Sequence, residues 1–513
     1  ELKTGRGHDD LTITALPPYL VSIIDNGGND TYDFDLDAVD VQSVAEVDIV
    51  DNSGSPDRIE LDVDSTGHDI YLHPQAVLLN KLNLTFNTGI EELHLTDNAL
   101  STTITTSPSS SFDTLLIKPD VTITSATGGA IELLARDDFT LQAGALIETT
   151  GIVTIRADQD SDAAGATIDL LGTINADQVA VYGNDDNDTI NVGNVTSGTE
   201  TTIYALGGSD TVNVRTINAE TTVNTGSGVN TVNVGSVTPG TGGDVNGIVG
   251  RLVVHGQSSN DTLNVYDNDA GAETGNLTAT DLTGLDLGVG INYNDGTDKV
   301  ETLNIFLGAR VDTFNILSTN AATATTLNTG DGDNIVNVQT IAGVTTVNGG
   351  NGSDTFNVGS NAAGVVGNAN LNTDGTLDGI GALLTINGND PTSGSDVLNV
   401  DDTADTNPNT GTLTFNTITG LGMGGSITYG TIEHLNISLG RGGNTFTINS
   451  THSNAGVKTT TLNSGAGADT VHINDVSDTL TVNGQADDDA INVNGTGAAS
   501  TSYLNGDAGN DSF

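Results

Sequence analysis

The sequence predicts an all-β chain folded as a right-handed parallel β-helix, a β-solenoid in the form of an elongated rod. Three observations predict it. Apolar residues come in short alternating runs with no competing helical period. Those runs recur about every 20 to 24 residues, a length typical of solenoid coils. The composition is also poor in the large side chains that a thick core needs, which favours a thin core of many similar layers.

The 513 residues include 65 Gly, one Met, no Trp and no Cys, and aromatics make up 4%. Without Cys there is neither disulfide stapling nor thiol chemistry. Acids number 67 against 13 Lys and Arg, for a net charge of -54. A phosphate backbone demands a basic surface, so nucleic acid is excluded as a partner, and a chain this acidic needs cations. Such charge could mean disorder, but Val, Ile and Leu in alternating runs are the mark of half-buried strands. No apolar run reaches the roughly 18 residues of a membrane span. The chain opens on Glu1 and ends just after a turn motif, so a processed form or a piece of something longer is expected.

The repeat unit reads strand, Gly/Asp turn, strand, loop. The strand after the turn appears in "YGNDDNDTINV" from Tyr182, "LGGSDTVNV" from Leu206, "TGDGDNIVNV" from Thr329, "GGNGSDTFNV" from Gly349, "SGAGADTVHI" from Ser464 and "GQADDDAINV" from Gly484. The strand ahead of it appears as "TTVN" at Thr221 and Thr345 and "TTLN" at Thr325 and Thr460. A longer repeat overlies this one: "GNLTATDLTGLDLGVGINY" from Gly275 matches "GTLTFNTITGLGMGGSITY" from Gly411. Whole blocks of coils were therefore duplicated. This divides the chain into degenerate coils over 1–106, coils without Asp turns over 107–181, a Gly/Asp-turn block over 182–385 and its duplicate over 386–513.

Alternation sends Val212, Val214, Phe314 and Phe356 inward and turns Thr and Asn outward. Stacked coils repeat the outward Thr-x-Asn pair, as in Thr211 with Asn213 and Thr355 with Asn357. These four are the candidate contacts of a flat polar face for self-association, ice or glycan, set against a plain solvated strand exterior of good β-propensity.

Gly349, Gly350, Gly352, Asp354 and Phe356 spell G-G-x-G-x-D-x-U-x. Glycine permits positive φ, which lets carbonyls converge, and Asp supplies a short hard-oxygen ligand suited to Ca²⁺. Asp side chains stacked from coil to coil repel unless cations intervene. The candidate ligands are Asp30, Asp186, Asp188, Asp210, Asp331, Asp333, Asp354, Asp469, Asp487, Asp489 and Asp511. Arg310 and Arg441 stand at nearly equivalent turns, where an Arg can pair with a neighbouring carboxylate in place of a cation.

The nonapeptide resembles the calcium-binding repeats of RTX-type proteins, and the chain is similar in looser form to haemagglutinin-type giant bacterial surface proteins. In the RTX family these repeats follow in tandem; here a second strand and a longer loop separate them. The resemblance implies a secreted or cell-surface protein, a Ca²⁺-stabilised segment of an adhesin, matrix or filament that self-associates end to end, with glycans or a cell surface as further partners. The alternatives are a polysaccharide-acting β-helix enzyme or tailspike, and an ice- or glycan-binding module. An enzyme needs tuned carboxylates in an aromatic-lined cleft. With Trp absent and the acids in repetitive turns, the expectation is a non-enzyme. His68 and His73 lack a third ligand for zinc.

Overall fold

The structure is a computed structural model. It describes residues 130–513 apart from 136, 159–163, 196–199, 239–242, 258–259, 269–270, 297, 363–371, 390–394, 453–457 and 499; before residue 130 it describes chiefly the backbone of short strands, from Leu2–Lys3 to Thr122–Thr124. The described residues form strands, turns and no helix. Contacts divide the chain into two units, the first of Glu1–Pro239, Val245–Thr262 and Gly288–Ile291, the second of Gly240–Asp244, Leu263–Leu287 and Asn292–Phe513.

In the first unit, the strands Thr167–Leu170, Thr189–Val192, Thr211–Val214 and Thr231–Val234 pair in parallel without a register slip. A second sheet pairs Ile152–Arg156, Gln178–Tyr182, Glu200–Tyr204 and Glu220–Asn224 in the same way. Each strand lies against the strand one coil away, the strand order of repeated coils and consistent with a β-solenoid. A third, short sheet joins Leu146–Glu148 to Thr173–Asn175 and then dwindles to single bridges from Ile174 through Val195 and Ile217 to Ile248. In-step register puts like on like: Ile190, Val212 and Val232 form one buried apolar column and Val192, Val214 and Val234 another. β-Branched side chains suit such columns because their stiff χ1 packs well on a pleated surface.

In the second unit, Thr313–Ile316, Ile335–Val338, Thr355–Val358 and Val397–Asp401 stack in parallel. Beside them Thr302–Leu307, Ala324–Asn328, Thr345–Asn348 and Leu383–Asn387 form the other sheet. Phe314 and Phe356 are fully buried, as alternation requires.

The duplicated stretch is where the parallel order breaks. Thr417–Gly420 runs antiparallel to both Thr410–Leu413 and Ser426–Gly430, and Thr274–Leu277 and Asp281–Gly284 make the matching hairpin. After the later hairpin the two kinds of strand exchange sheets. Thr459–Asn463, of the "TTLN" kind, stacks on His434–Ser438 and so on the column of Val397–Asp401, whereas Thr445–Ile448 stacks on Thr410–Leu413. Each hairpin is held at two points. Gly275 and Gly411 leave room for the rings of Phe314 and Phe446 on the paired strand. Tyr293 and Tyr429, buried, donate their hydroxyls to the carbonyls of Thr278 and Thr414 at the hairpin tips.

Candidate functional site

The turn of Gly349 to Asp354 shows what its residues do. A Cβ on Gly349 would lie 2.4 Å from Asp354 Oδ2, so this glycine leaves room for the carboxyl. Gly350 and Gly352 adopt φ of +97° and +148°, conformations that L side chains rarely adopt. They also pass so close to the carbonyls of Gly330 and Gly332 that a Cβ would lie 1.8 and 2.1 Å from them. The coil below thus demands the glycines as firmly as the turn itself.

The Asp closing each turn points inward. Asp188 Oδ1 accepts the N–H of Ala166 at 2.7 Å, Asp210 Oδ1 that of Asp188 at 2.8 Å, Asn230 Oδ1 that of Asp210 at 2.8 Å, and Asp261 Oδ1 that of Asn230 at 2.9 Å. The second unit repeats the ladder through Asp312, Asn334, Asp354 and Asp396, each rung 2.8 Å. It ends where Asp396 donates its N–H to Glu433 Oε2, whose other oxygen pairs with buried Lys458. Past the hairpin a new ladder runs through Asn444, Asp469, Asp489 and Asp511. Each rung satisfies a main-chain N–H just ahead of a strand, which would otherwise be buried without a partner.

Asp and Asn interchange along these ladders, so the rung requires a carbonyl-type acceptor and no charge. Asn334 sends its amide to the carbonyl of Gly332 at 3.1 Å and to Thr329 Oγ1 at 3.3 Å. The second oxygens of Asp210, Asp354, Asp396, Asp469 and Asp489 are buried without a hydrogen-bond partner. Burial is the largest effect on these groups and pushes Asp210, Asp396 and Asp469 up to about 7 and Asp354 to about 6, against the accepted N–H bonds that lower them. Asp188 and Asp489 are raised for the same reason.

The remaining candidate ligands stand on the outside of the turns. Asp331, Asp333 and Asp487 are exposed and Asp186 is half-buried, as is the ladder residue Asp511. Asp331 Oδ1 takes the amide of Asn351 at 2.8 Å, Asp333 Oδ1 the N–H of Ser353 at 2.8 Å, and Asp487 Oδ2 the N–H of Gly467 at 3.0 Å, each from the next or previous coil. Asp30 lies outside the described residues. Arg441 pairs with Asp374 at 3.0 Å and donates to the carbonyl of Thr403 at 3.1 Å, the carboxylate pairing its position suggested.

Asn213 and Asn357 are buried in amide ladders. Asn213 donates to Asn191 at 2.8 Å and accepts from Asn233 at 3.0 Å. Asn357 donates to Asn337 and accepts from Asn399, both at 2.9 Å, in a row that continues from Asn276 to Asn436. Thr211 and Thr355 are half-buried beside them.

Asp261, Asp312 and Asp396 belong to the ladders but are absent from the sequence-based candidates. Their signal was an Asp directly ahead of "TLNV", "TFNI" and "VLNV". A further buried acid pair, Asp402 and Asp405, shares the amide of Asn409 at 3.3 and 2.6 Å, and burial pushes Asp402 up to about 7. No protein-family model, curated protein or solved structure matches this chain.

Proposed function

We propose that the chain is an extracellular structural segment, a right-handed parallel β-helix that forms part of an elongated rod in a secreted or cell-surface bacterial adhesin, matrix or filament. The observation that carries this reading is the direction of its polar side chains. The Asp rungs and the Asn rows face the neighbouring coil and hold coil to coil, and the perturbed carboxyls are structural. Amide rows that repeat in register suit a scaffold, because each adds a side-chain bond to the main-chain ladder at every step.

Calcium enters through the outer acids. Asp186, Asp331, Asp333 and Asp487 are hard-oxygen donors at least partly open to solvent on a chain of net charge -54, and a divalent cation bound there would offset part of that charge. Thermal unfolding of the full chain in EGTA and then in excess Ca²⁺ tests this part: a rise in Tm is expected, and an unchanged Tm overturns it. Small-angle scattering tests the rod, with an elongated particle expected and a compact one contrary to the reading.

A further inference from the structure

A cavity of about 190 Å³ lies in the second unit beside the tip of the later hairpin, lined by Phe415, Asn416, Tyr429, Thr431 and His452 among others. Its lining is unlike the rest of the coil surface. Phe415 is 59% exposed, a large aromatic ring standing free at the hairpin tip. His452 is only 3% exposed, and its Nε2 is buried with no hydrogen-bond partner. Its other nitrogen, Nδ1, lies 3.5 Å from Thr460 Oγ1, and its ring stands edge-on to Tyr429 at 6.3 Å between centroids. Thr431 holds φ at +54°, an uncommon conformation for a β-branched residue.

The block duplication isolates what is special here. At the offset that superposes Tyr429 on Tyr293, Phe415 corresponds to Ala279; at the offset that superposes Phe446 on Phe314, His452 corresponds to Asn320. The tyrosine hydroxyl bonds to the tip in both copies, so the fold of the hairpin needs neither Phe415 nor His452. A buried imidazole nitrogen without a partner costs free energy that the first copy avoids.

The lining also restricts the ligand. Among the described residues no charged side chain lines the cavity. Burial, and after it the ammonium of Lys458, hold the His452 imidazole below its usual range, so it is neutral at pH 7. The net charge of -54 disfavours anions, and a cation would find no carboxylate in the wall. The volume is below that of a site for a drug-sized molecule, which typically begins at about 300 Å³. What remains is a small neutral molecule with an apolar face for an aromatic ring and hydroxyls for an amide. We propose that this cavity binds a single neutral pyranose unit of a glycan, with Phe415 against the sugar face, the Asn416 side chain at its rim and the His452 ring in its wall.

Saturation-transfer NMR and titration of the full chain with D-glucose, D-galactose and N-acetyl-D-glucosamine test this, alongside Phe415→Ala and His452→Asn, which restore the residues of the first copy. Saturable binding of at least one sugar is expected, weakened about tenfold by either substitution, which corresponds to about 1.4 kcal/mol. Asn320→Ala, in the first copy, should leave it unchanged. Absence of a saturable response to all three sugars overturns the proposal, as does binding that survives Phe415→Ala, a change to an exposed side chain that leaves the core intact. Loss in Phe415→Ala with full binding in a folded His452→Asn overturns the role given to His452.

Discussion

Asp354 Oδ1 accepts the main-chain N–H of Asn334 at 2.8 Å, and Asn334 Oδ1 accepts that of Asp312 at the same distance. A carboxyl and an amide thus hold successive rungs of one ladder. Asp354→Asn keeps the accepting oxygen and removes the buried charge. It should stabilise the chelated protein at pH 8 by roughly 1 kcal/mol, a Tm gain of about 2 °C, and should change little at pH 5. Calorimetry at both pH values checks this, and a loss of stability at pH 8 would count against the neutral rung.

The raised carboxyls set a pH profile. Asp210, Asp396 and Asp469 titrate near 7 and Asp354 near 6 in the folded chain, against an ordinary 3.8. Folding therefore favours their protonated forms, a contribution fully present below the ordinary value and lost as pH rises through 6 to 7. In EGTA, Tm should fall steadily from pH 5 to pH 8, and the fall should be shallower in the double variant Asp354→Asn, Asp396→Asn. A Tm that climbs over this range contradicts the assignment.

Gly411 and Phe446 should behave as one unit. A Cβ on Gly411 would stand 2.6 Å from the Phe446 ring and 2.7 Å from Leu421. Gly411→Ala should cost about 1–3 kcal/mol by overpacking, and Phe446→Ala about 3–5 kcal/mol through its cavity. The double variant should cost clearly less than the sum, because the new methyl enters space that the ring has left. Urea unfolding of all four proteins measures the coupling; strict additivity would show that the two do not share that space.

Asn357→Ala orphans the oxygen of Asn337 and the amide of Asn399 within a buried row. A cost of about 2–4 kcal/mol is expected. Asn357→Asp should be harmful chiefly at high pH, where a carboxylate oxygen faces Asn337 Oδ1. Equal melting of both variants at pH 5 and pH 8 would argue against a tightly closed row.

The strands and their inward residues were legible because a period of two carries from sequence to pleat without further information, as Val212, Val214 and Phe356 show. The direction of Asp354 was not legible, since alternation ends at the turn, and whether a turn carboxyl faces water or the next coil depends on Gly349 and on the strand register. Asn357 faced outward by alternation, yet it lies buried in its row. The duplicated blocks were plain in the sequence. Their antiparallel course was hidden, because the hairpin strands carry the same kind of alternating runs as the coils. The N-terminal block lies largely outside the described residues.

Every rung passes from the main chain of one coil to the side chain of the next coil along the sequence. The ladder consequently has a sense, like overlapping roof tiles. Taking away Asp396 leaves the N–H of Asp354, one coil earlier, without its acceptor, while the N–H of Asp396 itself can still reach Glu433. Damage at any rung is felt upstream and spares the coils on its C-terminal side, so the Lys458–Glu433 pair that closes the row before the sheets exchange acts as its ridge piece.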